Sequence, residues 1–324
     1  METKKFDVSA FGEALIDFTQ SGLNEDGVVM FAQNPGGAPG NVCVAINRLG
    51  GKSAFLGKVG TDMHGEFLKK TLAYEGVNVT GLVMDPDVFT TLAFVSLNEN
   101  NERSFSFARK PGADTRMKED DLDLDTITAS KIFHVGSLSL TDEPSRSATY
   151  AAVRAAREAG VLVSYDPNYR STLWSSEEAA KEMMRTLISS ADLMKISDEE
   201  TALLTSHADP KEAAEFLLDQ GVSLAAVTLG ANGALLATKN AQVIVPGFKT
   251  EVADTTGAGD SFWGTLLLQV AQSGRNPGDL TEEELAAIGR RANAVASLTV
   301  SKKGAIPALP TAETVEEFLA AQKS

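Results

Sequence analysis

Short β-rich runs separated by helical patterns recur along most of this chain, and no other feature restricts its fold as tightly. Residues 6–11, 53–59, 132–136, 162–166, 193–197 and 224–229 read as strands; 40–49, 65–75, 144–159, 177–190 and 210–220 read as helices between them. Such alternation predicts right-handed βαβ units and a mostly parallel sheet covered by helices. Ligands on sheets of this kind sit beyond the carboxyl ends of the strands, where Asp166, Ser197 and Gly230 fall in this reading. Two segments break the alternation. Residues 13–37 carry a polar, turn-like piece at 19–26, and 90–97 with 103–109 form a hairpin about a turn at 98–101. In its second strand Phe105 and Phe107 share a face with Arg103 and Arg109, so the hairpin is either a lid or a half-buried surface ribbon.

At 324 residues and 43% apolar composition the chain can bury one large core or two smaller ones, and no repeat or low-complexity linker divides it. Its net charge of −15 argues against nucleic acid or an anionic membrane as partner. A small anion such as ATP is not excluded, because net charge is screened over about 8 Å at physiological salt and local donors decide affinity. The lone Cys43 cannot form an internal disulfide, and the opening residues lack an apolar signal region, so a reducing cytoplasm is expected. Cys43, flanked by Val42 and Val44, reads as a packed thiol; His64, His134 and His207 lack the spacing of zinc ligands. No apolar run reaches the roughly 18 residues needed to span a membrane.

The chemistry concentrates in Asp254-Thr255-Thr256-Gly257-Ala258-Gly259-Asp260, a glycine-rich turn running into an apolar helix. Amides at 257–259 and the helix dipole predict an anion site, and Asp260 stands where a carboxylate can take a proton from a hydroxyl beside that anion. A plain N-cap with a tight turn is the competing explanation. The stretch is not a dinucleotide fingerprint, whose third glycine would fall on Phe262, and Gly50-Gly51-Lys52-Ser53 does not end a Walker A loop, whose first glycine would fall on Ile46. A second turn, residues 34–41, precedes another helix, and Asn41 there is either a ligand group or a simple cap. Asp17 closes an apolar run; a carboxylate accepts two hydrogen bonds at once and suits a vicinal diol, so Asp17 is either half of a neutral sugar site with Asn41 or a solvent-facing acid at a strand end. Thr228-Leu229-Gly230-Ala231-Asn232-Gly233 ends a strand in a turn over which a nucleotide could lie.

These residues resemble the ribokinase-like (PfkB) carbohydrate kinases, and within them the fructokinases. The resemblance rests on Gly36-Gly37-Ala38-Pro39-Gly40-Asn41-Val42 with Arg48-Leu49-Gly50-Gly51, on residues 254–260, and on Asp166-Pro167-Asn168-Tyr169-Arg170 and residues 303–310. It implies a single α/β domain over 1–324, a ribokinase-like three-layer sandwich with a mostly parallel central sheet and a small β lid from about 13–37 and 88–112. It implies Asp260 as the base and the amides of Gly257, Ala258 and Gly259 as the anion hole. Asp17, Gly36, Gly37 and Asn41 would hold the sugar, with Phe94, Phe107 and Arg109 in the lid and Arg170 near the phosphates. Ser197, Thr228, Gly230, Gly233, Gly257, Gly259 and Asn293 would serve the nucleotide. Glu200 would position hydrated Mg²⁺, and Asp254, Thr256, Thr299, Lys302 and Gly304 would surround K⁺.

Three departures from the family pattern stand out: Ser197 where Asn is usual, Ala108 where Tyr is common in the lid, and Ala308 where a K⁺-shell Ser is common. The implied reaction is ATP-dependent phosphorylation of a ketohexose at its terminal hydroxyl, D-fructose first. The alternatives are a 2-keto-3-deoxygluconate or other PfkB sugar kinase, and an inactive sugar-binding regulator. A homodimer through the lid is also expected.

Overall fold

The computed structural model describes residues 4–97 and 103–322. Its strands are β1 (Phe6–Phe11), β2 (Leu15–Leu23), β3 (Val29–Gly36), β4 (Ser53–Gly60), β5 (Leu82–Asp85), β6 (Leu92–Leu97), β7 (Arg103–Ala108), β8 (Ser130–Gly136), β9 (Leu162–Asp166), β10 (Leu193–Ser197), β11 (Leu224–Thr228), β12 (Ala234–Ala237) and β13 (Gln242–Val245). Nine of them form one sheet in the order β13-β12-β11-β10-β9-β8-β1-β4-β5. From β5 to β11 every pairing is parallel, and β12 and β13 close one edge antiparallel. The chain leaves β1 toward β4 and later returns to its other side at β8, so the strand order reverses there. A crevice at the carboxyl ends beside such a reversal is where a ligand fits.

The helices are α1 (Ala38–Arg48), α2 (Met63–Tyr74), α3 (Leu124–Thr128), α4 (Ser145–Glu158), α5 (Glu177–Arg185), α6 (Thr201–Thr205), α7 (Pro210–Asp219), α8 (Ala258–Ser273), α9 (Glu282–Val300) and α10 (Ala312–Ala321). Strand alternation sends neighbouring side chains to opposite layers. On β8, Phe133 and Val135 belong to one buried cluster with Ala148 and Ala152 of α4 and Leu217 of α7, whereas Ile132 belongs to another with Ile46 of α1, Trp263 and Leu266 of α8 and Leu285 of α9. Three layers result, and the interior strands are apolar on both faces because both are covered. The one imidazole in this interior, His134, shares the Ser164 hydroxyl with the indole of Trp263, each at 2.9 Å.

The remaining strands make a second, four-stranded sheet in the order β3-β2-β6-β7. Residues 19–23, read from composition as part of a polar turn, instead extend β2, because β3 pairs with it as far as Leu23, while β6 flanks its other side as far as Thr19. The turn at 98–101 lies outside the described residues, as do the side chains of Arg103 and Phe105. Expected helix 177–190 stops at Arg185 and resumes as a short 3₁₀ turn at Ile188–Ser190.

Candidate active site

Helix α8 opens on the glycine-rich turn. Gly257 has φ +80°, and a Cβ there would stand 2.9 Å from the Ala305 side chain, so any other residue is strained. No side chain caps α8, which leaves the positive end of its dipole toward a cavity that Gly257 and Gly259 line. The Ala258 N–H turns back onto the Thr255 carbonyl at 3.3 Å, so it is partly engaged within the turn.

Asp260 follows in the first helical turn, 8% exposed, and its Oδ2 accepts a 2.7 Å hydrogen bond from Asn41 Nδ2. Burial pushes this carboxyl up and the Asn41 bond pulls it back; Asp166 raises it further, while Lys195 and Arg170 oppose. Asn41 enters from α1, so the two glycine-rich turns meet at a single hydrogen bond although 219 residues separate them. The same turn brings Gly36 and Gly37 against the start of β2. A Cβ on Gly36 would lie 2.2 Å from Asp17 Oδ2, and one on Gly37, at φ +110°, 2.4 Å from the Glu13 carbonyl oxygen.

Asp17 sits on the inner face of the lid sheet, in register with Ala93 of β6, which in turn faces Phe107 of β7. Burial raises its carboxyl to about 6, Arg170 opposing and Asp260 and Asp254 adding to the effect. Asp17, Gly37, Asn41, Phe107, Arg170, Thr256, Gly257, Gly259 and Asp260 line one cavity of about 490 Å³. Its size suits a sugar with the end of a polyphosphate.

Two participants were not singled out from sequence. Glu13 lines the cavity at 4% exposure, accepts the Ala38 N–H at 3.0 Å, and is raised by burial to about 7. Its signal was an acid enclosed by the apolar residues that end β1 and begin β2. Lys195 is the one charged residue of β10, 5% exposed, and its Nζ donates to Asp166 Oδ2 at 2.7 Å directly beneath Gly259.

Other expected residues lie elsewhere. Phe94 faces away from the cavity, stacked on Phe18 at 5.3 Å, because β6 alternates and Ala93 takes the inner position. Arg109 is buried against Asp114 and donates also to Thr141 and the Leu138 carbonyl, so its charge is spent behind the cavity. Glu200 accepts from Tyr169 N–H and from Ser197 N–H and hydroxyl, tying two strand ends together, and of these two neighbouring acids it is Glu199 that lines the cavity. Asn293 donates to the carbonyls of Val245 and Pro246. Gly233 is required where a Cβ would meet the Val245 carbonyl oxygen at 2.0 Å. Thr228 pairs with Ser197 across the ends of β11 and β10, and Gly230 begins the next turn.

Beside the glycine turn, Asp254 Oδ1 accepts from Thr256 N–H and hydroxyl at 2.9 and 2.7 Å, and Oδ2 accepts from Gly304 N–H at 3.1 Å. This joins the turn to the loop after α9, where the Thr299 carbonyl accepts from Lys302 N–H. Among the described residues no group of three or more His, Cys, Asp or Glu is placed to hold a metal ion. No helix among them is long and apolar enough to cross a membrane.

The pfkB family carbohydrate kinases match residues 5–312, and the chain belongs to that family. It is 46% identical over 320 residues to the Arabidopsis thaliana protein named "Probable fructokinase-6, chloroplastic", covering 96% of this chain and 82% of that one. Fructokinase from Xylella fastidiosa, solved with bound ATP, superposes with TM-score 0.91 at 35% identity, covering 98% of this chain and 99% of that one. A double mutant of the Vibrio cholerae O395 fructokinase, in its fructose, ADP and potassium ion bound form, gives TM-score 0.86 at 37% identity over 96% and 97%.

Proposed function

We propose that this protein is a fructokinase that transfers the γ-phosphoryl group of ATP to the terminal primary hydroxyl of D-fructose. The observation that carries the reading is the 2.7 Å Asn41–Asp260 bond, which sets a buried carboxylate beside the 257–259 amides in one cavity with Asp17. Asp260 takes the hydroxyl proton as the sugar oxygen bonds to the γ-phosphorus, and the bond from that phosphorus to the bridging oxygen breaks to release ADP. The amides of Gly257 and Gly259, with Ala258 reinforcing the turn, stabilise charge on the transferring group. Asp17, Gly37 and Asn41 orient the sugar.

Charge supports a neutral sugar. Glu13, Asp17 and Asp260 line the cavity, Arg109 is neutralised by Asp114, and Arg170 alone of the cavity-lining residues is cationic. A carboxylated or phosphorylated sugar would meet this excess of carboxylates. Ser197, Thr228, Gly230 and Gly233 lie along the strand ends where the nucleotide would extend, and Asn293 holds the wall behind them. Magnesium would screen the phosphates when bound; Glu199, which lines the cavity, and Glu200 beside it in sequence would hold its water shell. The hard oxygens of Asp254, Thr256 and the carbonyls of Thr299, Lys302 and Gly304 suit a K⁺ ion.

The outer face of the lid, where Phe18, Phe31 and Phe94 cluster beside exposed Val29, fits pairing with a second copy. The single buried thiol suits a reducing compartment, the cytoplasm in this reading. A coupled ADP-release assay across fructose, ribose, 2-keto-3-deoxygluconate and fructose 6-phosphate tests the assignment. Fructose should give the highest kcat/KM; the lowest value for fructose overturns it.

A further inference from the structure

Asp166 and Lys195 form a buried ion pair at the carboxyl ends of β9 and β10, with side chains 4% and 6% exposed. Buried pairs of this kind are seldom retained for stability, because desolvating two charges offsets most of their attraction. Their position is therefore informative. The ammonium lies beneath the start of α8, where a Cβ built on Gly259 would meet Lys195 Nζ at 3.2 Å and Cε at 3.4 Å. Gly259 is thus the residue that lets the turn settle on the lysine, and the lysine is the floor of the turn. Asp166 is held on its other oxygen by Asn168 N–H at 3.1 Å, so the pair is anchored from the same loop that carries Arg170.

The charges that face Asp260 come from four elements. Asp17 approaches from β2 and Asp166 from the end of β9; Lys195 comes from β10 and Arg170 from the loop after β9, while neutral Asn41 donates from α1. Of these, Asp166 and Lys195 act with opposite sign from nearly one place. We infer that Lys195 is a positioning residue for phosphoryl transfer: anchored by Asp166 beneath Gly259, it supports the amide turn and cancels the negative charge that Asp166 presents to Asp260. The inference rests on the kinase reading above. Burial opposes the ammonium, but Asp166 and Glu200 outweigh it and hold Lys195 above its ordinary value; the same charge helps keep neighbouring His134 neutral.

The test compares Lys195→Met, Lys195→Met with Asp166→Asn, and Lys195→Arg in the full chain, with the wild type assayed alongside for fructose-dependent ADP release. A wild type without that activity refutes the kinase reading and the inference with it, whereas the variant outcomes bear on the inference alone. With wild-type activity present, Lys195→Met should lose kcat by about tenfold or more while KM for fructose stays within about threefold. Its acid limb in the kcat–pH profile should move up by about one pH unit, the tenfold change in proton affinity expected of one uncompensated buried charge. The double variant removes both charges and so avoids an unpaired carboxylate if the single variant fails to fold. Its acid limb should fall back at the wild-type position while kcat remains reduced, and Lys195→Arg should recover part of kcat. Wild-type kcat and acid limb in Lys195→Met overturn the inference. So does a double variant with wild-type kcat, or one whose acid limb stays away from the wild-type position.

Discussion

Replacing Asp260 with Asn separates chemistry from binding and folding in a way the site makes quantitative. The amide keeps the shape of the carboxyl and retains an oxygen to accept the Asn41 Nδ2 bond, now 2.7 Å. It cannot take a proton from the sugar hydroxyl. Loss of a general base costs about 10²–10⁴-fold in rate, or roughly 3–5 kcal/mol of barrier at about 1.4 kcal/mol per tenfold. The fold should not suffer, because the change removes a charge that burial and Asp166 already disfavour. ATP binding should hold or tighten, since one negative charge leaves the neighbourhood of the phosphates. Coupled ADP release gives kcat, calorimetry gives ATP affinity, and thermal unfolding gives stability. A variant with kcat within threefold of wild type refutes the role of Asp260, and a collapse of all three quantities together refutes the claim that the residue is dispensable to the fold.

Gly37→Ala places a Cβ 2.4 Å from the Glu13 carbonyl at φ +110°, so KM for fructose should rise at least tenfold, and an unchanged KM would show that the turn does not hold the sugar. Between about pH 4 and 7 the folded chain keeps protons on Asp17 and Glu13 that the unfolded chain releases, so the ligand-free protein should lose stability as pH rises through that window. Glu13, raised from 4.5 to about 7, accounts for about 3 kcal/mol of this. In denaturant titrations Glu13→Gln should therefore be more stable than wild type at pH 8 and similar at pH 5; the reverse order contradicts the sign. Phe94→Glu on the outer lid face should shift light scattering from dimer to monomer with the fold intact, and a monomeric wild type at micromolar concentration ends that proposal.

Much of the fold was legible because it follows from local periodicity. The six runs read as strands are all strands of the parallel sheet, and the turn at 254–260 does open a helix. Strands β5, β12 and β13, four residues each, are too short to carry a pattern of their own. The extension of β2 through residues 19–23 depends on pairing with residues 29–32 of β3, which the local pattern of 19–23 does not encode.

The sequence by itself determined which groups are available: two glycine-rich turns ahead of helices, Asp260 after one of them, Asp17 at the end of an apolar run, and a hairpin with one aromatic and cationic face. Tertiary structure decided which of those groups meet. Asn41 and Asp260 share a hydrogen bond only because the sheet sets α1 and α8 side by side. Phe94 turns outward because the register of β6 against β2 puts Ala93 inside, and Arg109 is consumed by Asp114 before it can reach a ligand. Lys195, the one charged residue of β10, gains its place in the site only because the fold sets it under Gly259. Periodicity and turn chemistry are properties of neighbours in the chain, whereas charge pairing, burial and facing direction belong to neighbours in space.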